Sequence, residues 1–142
     1  MLDIVDAISN RLYDIFGDAY PIHLESVEQD FKPNSFFIHP VYASDKNLIH
    51  NRKYRTVEFD LVFIPEDNEP RKTMTIVSDK LFSSFDFVVL EDGTILRTFN
   101  RNIDVVNNML HFRITFKFDY FAEIPEEELQ ESIEMSVIID GT

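Results

Sequence analysis

Four histidines, His23, His39, His50 and His111, have the widest chemical reach in this 142-residue chain, which has no cysteine. None stands four residues from another, and none lies in H-E-x-x-H, the helical spacing that brings two imidazoles to one metal. Each therefore reads as a packing or surface histidine. Without thiols there is no cysteine nucleophile, no disulfide and no thiolate metal site, which fits a reducing compartment. The serines do not occur in G-x-S-x-G, and Gly17, Gly93 and Gly141 are too scattered to build a phosphate-cradling loop. Acidic residues crowd at Glu66, Asp67 and Glu69 and again at Glu126, Glu127 and Glu128. The first group lacks the glycine and spacing of a calcium loop, and the second reads as a solvated run. No two carboxylates are singled out as an acid and a base. The residues thus assign no catalytic group, no metal ligand and no cofactor.

The charge balance points the same way. At a formal net charge of −13 an open DNA-binding surface is disfavoured, because affinity for a phosphate backbone comes mainly from Lys and Arg. The basic residues gather modestly at "NRKYR" (51–55) and "EPRK" (69–72). The N-terminal stretch is amphipathic and acidic, unlike a signal peptide, and no apolar run approaches the ~18 residues of a membrane span. The expectation is a soluble protein with no membrane partner, one domain over residues 1–142, and a core built from rings, since 14 Phe and 5 Tyr are present.

The elements that must carry any site follow from periodicity. Leu2, Val5, Ile8, Leu12, Ile15 and Phe16 fall on one helical face over 2–16, and Gly17 ends that helix. Residues 20–26 and 35–42 read as strands, with Pro40 marking an edge or a bend in the second. A polar loop is expected over 43–53. Val57, Phe59, Leu61 and Phe63 then alternate through a strand at 54–64. Asp67 or Asn68 is placed to cap a second helix over 70–84, with Pro70 in its first turn and Met74, Val77, Leu81 and Phe85 on its buried face. Asp92-Gly93 lies between two apolar runs of 85–99, a hairpin signal. Asn107-Asn108 turns the chain into "MLHFRITFKFDYF" (109–121), which alternates for thirteen residues. An acidic connector (125–132) and a last strand (133–140) follow. The fold class is α+β, a mainly antiparallel β-sheet flanked on one face by two α-helices.

Strands of this length overreach a small sheet, whose strands usually run about five or six residues. That suits a subunit giving edges and arms to its neighbours. The loop 43–53 joins Lys46, Arg52 and Lys53 to two apolar residues, Leu48 and Ile49. Apolar residues at the tip of a polar loop mark a surface that becomes buried. Leu48, Ile49, Arg52, Lys53 and Arg55 are therefore the candidate subunit or tube interface.

Four segments carry a resemblance: "LDIVDAISNRLYDIFGD", "YPIHLESVEQDFKPNSFFIHP", "NRKYRTVEFDLVFIP" and the Phe-rich "LHFRITFKFDYF". In order and pattern they resemble the tail terminator proteins of tailed phages and of prophages of Gram-positive bacteria, over nearly the whole chain. "QDFKPNSFFIHP", where a polar loop enters an apolar strand, is the most telling piece. The resemblance implies a structural protein of the virion tail or of a phage-tail-like particle, assembled in the host cytoplasm. It implies a homo-oligomeric, six-membered ring that caps the tail tube, stops its polymerisation and joins it to the neck or collar. The implied partners are the tail tube protein, a neck or head-completion protein, and a sheath protein where the tail contracts, with DNA only passing through the lumen. Two other readings stand beside it. One is another virion subunit, such as a tube or head-completion protein. The other is a small hydrolase or ligand-binding domain, which needs a concave pocket with convergent polar groups.

Overall fold

The computed structural model describes residues 2–24, 33–66 and 69–122. Two helices, α1 (Leu2–Phe16) and α2 (Pro70–Ser84), and six strands are found there: β1 (Ile22–His23), β2 (Ser35–Asn47), β3 (Arg52–Ile64), β4 (Phe87–Val89), β5 (Ile95–Val106) and β6 (Met109–Phe121). The strands form one sheet in the order β1-β2-β3-β6-β5-β4. All neighbours pair antiparallel except β1 with β2. This is the α+β class that alternation and hairpin signals predict.

Period-two alternation decides which face is covered. Val57, Phe59, Leu61 and Phe63 of β3 lie opposite Phe116, Ile114, Phe112 and Leu110 of β6, and all eight are fully buried. They share one core with Ile4, Ala7, Ile8 and Leu12 of α1 and with Met74, Val77 and Leu81 of α2. Both helices therefore sit on the same side. The rings interlock at edge-on angles, as Phe82 and Phe85 do around Phe112 and Tyr20 does on Phe63, the geometry aromatic quadrupoles favour.

Local chemistry sets the boundaries. Gly17 takes φ +59 and donates its N–H to the Tyr13 carbonyl at 2.7 Å, closing α1 in the left-handed conformation that glycine adopts without steric cost. Asn107 and Asn108 both have positive φ, so they form the tight β5–β6 turn that strand twist prefers. Asp92 Oδ1 accepts the Thr94 N–H at 2.9 Å, fixing the β4–β5 turn. Arg11 donates through Nε to the Ser84 carbonyl at 2.7 Å, tying α1 to the end of α2.

Several boundaries differ from those read in the sequence. Ile4 and Ala7 complete the buried face of α1, whereas Val5, Ile15 and Phe16 are only partly buried against it; a face centred on Ile8 and Leu12 has room for both sets. Of the strand expected over 20–26, the described residues 20–24 hold a strand only at Ile22–His23, which pairs parallel with Phe36 and Phe37; 25–26 lie outside the described residues. The N-cap position of α2 is Glu69, without a side-chain cap, and Pro70 opens the helix; 67–68 lie outside the described residues. So do the acidic connector (125–132) and the strand read at 133–140. The largest change is at 43–53. Those residues are not a loop: β2 continues to Asn47 and β3 begins at Arg52, leaving a turn at 48–51. Polar residues on both faces of "ASDKN" hide the strand from any apolar periodicity, and pairing with β3 supplies its order instead.

Candidate functional site

Beyond the helix-covered core the sheet narrows to an arm of three strands, 43–47 of β2, 52–56 of β3 and 117–121 of β6. Its register is continuous: Asp45 lies opposite Arg55 and Asn47 opposite Lys53, while Arg55 faces Phe118 and Lys53 faces Tyr120 on the other side. At the tip, His50 and Asn51 adopt positive φ, and Leu48 donates its N–H to the Arg52 carbonyl at 2.8 Å. Ala122 donates to the Asn51 carbonyl at 3.0 Å, fastening the end of β6 to the turn.

One polar cluster crosses all three strands. Arg55 grips Asp45 with two parallel bonds, Nε to Oδ1 at 2.7 Å and Nη2 to Oδ2 at 2.8 Å. The Tyr120 hydroxyl donates to the same Oδ2 at 2.8 Å, and the guanidinium sits 4.5 Å from the centre of the Tyr120 ring. A planar fork matched to a carboxylate and stacked on an aromatic face is the arrangement only arginine makes. The bonds from Arg55 and Tyr120 hold the Asp45 carboxyl well below the usual carboxylate range. Burial and the bond to Asp45 push the Tyr120 hydroxyl above its ordinary value. On the opposite face of the arm Arg52 pairs with Asp119.

Around the tip the surface is apolar. Ile49 is 76% and Phe121 70% exposed, with Leu48 beside them at 37%. The five residues predicted as an interface thus fall in one arm, in different situations. Leu48 and Ile49 form the tip. Arg52 and Arg55 are already engaged with carboxylates of their own chain. Lys53 is half-buried beside Asp45 and adds to the positive field there. The sequence reading missed Asp45, Asp119, Tyr120 and Phe121. The first becomes visible only once the register is known, since Asp45 and Arg55 then stand five residues either side of His50.

A family model described as phage tail terminator protein matches residues 3–131. The chain belongs to the phage tail terminator family. Among curated proteins, none matches it. Terminators are structural proteins of the phage tail that assemble with other tail proteins.

The histidines of the terminator do not converge on a reaction centre. His50 lies in the exposed tip turn. His23 and His39 stack on either side of Phe37. His111 Nδ1 is 2.9 Å from Asp60 Oδ2 on the helix-free face, and the other Asp60 oxygen is buried without a partner among the described residues. No group of three His, Asp or Glu suited to a metal occurs among the described residues. A groove beside the start of α1, lined by Asp3, Asp6, Ser9, Asn10 and Glu91, is acidic and polar, unlike the mostly apolar pockets that hold small molecules. No helix among the described residues is long and apolar enough to cross a membrane.

Proposed function

We propose that this terminator, acting as one domain over its whole length, assembles into a six-membered ring. The ring caps the tail tube, ends its polymerisation and offers the neck or collar a docking surface. The observation that carries this reading is the arm: three strands locked by the Asp45–Arg55–Tyr120 cluster and ending in exposed Leu48, Ile49 and Phe121. A preorganised arm loses little conformational entropy when it docks, and its apolar tip gains by being covered. We assign the tip to a neighbouring copy or the last layer of tube protein, with Lys53 and the polar edge of the arm around it. In a contractile tail the same ring would also meet the sheath. DNA passes through the lumen, and the negative charge of the subunit keeps the phosphates from adhering.

Imaging of native particles tests the reading. One layer of this protein at the head-proximal end of each tube is expected, together with tubes of uncontrolled length when the gene is deleted. Many successive layers of it would instead make it a tube subunit, and its absence from the tail would discard the role altogether.

A further inference from the structure

The register of the sheet places two irregularities at one height. In β2 the pairing with β3 steps between Pro40 and Tyr42, which leaves Val41 as an extra, bulged residue. In β5 the pairing with β6 steps between Thr98 and Asn100, which leaves Phe99 as the extra residue. Tyr42 lies opposite Glu58, Glu58 opposite Thr115, and Thr115 opposite Asn100. Val41 and Phe99 therefore flank the same cross-strand row from opposite sides of the sheet. Val41 and Phe99 are apolar and open, 50% and 67% exposed, as is Tyr42 at 55%, and the Lys117 ammonium sits 3.9 Å from the centre of the Phe99 ring.

These residues also stand on the outer edges. β1 pairs with β2 at Phe36 and Phe37, and β4 pairs with β5 at 95–97, beyond which the Asp86 carbonyl takes the Thr98 N–H at 3.0 Å and Arg101 donates to the Phe82 carbonyl at 2.7 Å. Among the described residues, 38–47 and 98–106 have no strand outside them. Three antiparallel steps separate β2 from β5, so the two edges run in opposite directions. A rotation about an axis along the strands brings β2 of one copy beside β5 of the next, antiparallel and at equal height. A contact of that kind uses two different patches and closes into a ring when the rotation divides the circle.

We propose that copies of this chain join edge to edge in this way, with Val41 and Tyr42 of one packed against Phe99 of the next. The occupant of each edge is thus a second copy, because the two halves of the contact sit at matching heights on opposite margins of one sheet. Bulges and a proline, which has no N–H to give, normally blunt an edge against stray strand addition. Pro40 and the two bulges do so here, and the side chains they turn outward make the join instead of an uninterrupted ladder. Large open apolar residues are what a purely defensive edge avoids, since such edges carry charge.

The inference rests on the ring reading above, and the absence of cysteine from the chain gives a test that separates the two. Val41→Cys and Phe99→Cys are introduced singly and together, and assembled tails are treated with a short bis-maleimide. The double variant should give a covalent ladder ending at the ring number. Tails built from a mixture of the single variants should give dimers that neither single variant gives alone. Phe99→Ser should keep the circular dichroism spectrum of the parent, because the side chain is exposed, while weakening self-association about tenfold or more. A ring seen by imaging but without V41C–F99C cross-links would leave the ring standing and discard this join. Particles with no ring would discard both.

Discussion

Asp45 gathers the arm's three strands onto one carboxylate, and its titration is a direct readout of the arm. Its folded pKa lies below the ordinary carboxylate value of about 3.9. A depressed pKa contributes stability above the unfolded value and loses it as pH falls through the folded one. The bridge should therefore persist unchanged from pH 7 to about 4 and open only in stronger acid. NMR of the Arg55 Nε–H follows it; a signal that moves with a midpoint near the ordinary carboxylate value would show that the pair does not form in solution. Phe116 makes the contrasting case. It is fully buried opposite Val57 in the core shared with the helices, and Phe116→Ala should cost about 3–5 kcal/mol through the cavity it leaves. Thermal denaturation measures this, and an unshifted midpoint would mean the helices do not cover that position. Phe116 was legible from alternation alone, because burial on one face writes itself into every second residue. Asp45 was not, since its partner lies across a hairpin and no periodicity points to it.

At the scale of elements, the arm is three strands whose exposed large apolar residues, Leu48, Ile49 and Phe121, gather at its tip. Exposed strands held by cross-strand ion pairs and backbone bonds keep their shape without burying Leu48 or Ile49. The double variant Leu48→Ser, Ile49→Ser should accordingly leave the circular dichroism spectrum and melting temperature near those of the parent, while tail completion falls. Tails completed at parental frequency would remove the tip from the interface. The helices, β3 and β6 were readable because each buries a face with its own period. The far half of β2 was not, because both of its faces meet solvent, and most of β5 fails for the same reason: Phe99, Val105 and Val106 are exposed and interrupt any alternation of buried and polar positions. The regions hardest to read in the sequence are thus the edges and the arm, where burial within the chain leaves no periodic pattern.

At the scale of the whole molecule, charge separates a ring that lets DNA pass from one that grips it. The chain carries 13 Lys and Arg against 26 Asp and Glu, and several of the cations are already committed within it: Arg52 to Asp119, Arg55 to Asp45, and Arg101 to Asp86 at 2.8 Å. Binding to a phosphate backbone draws on counterion release, one ion for roughly each phosphate neutralised. A cation must leave its carboxylate before it can contribute, and the uncompensated carboxylates repel the duplex at distances within about one Debye length, ~8 Å at physiological ionic strength. In the proposed ring, neighbouring copies of the same charge would multiply the repulsion. Titration of duplex DNA with the purified protein, at about 0.15 M salt, should thus give no saturable signal up to about 10 µM, the range in which non-specific DNA-binding proteins begin to bind. Lowering the salt should not rescue binding, because weaker screening strengthens the repulsion as well. A saturable isotherm whose midpoint rose with salt would instead reveal a basic surface made on assembly, with Lys46, Lys53 and Lys117 the first residues to change to glutamine.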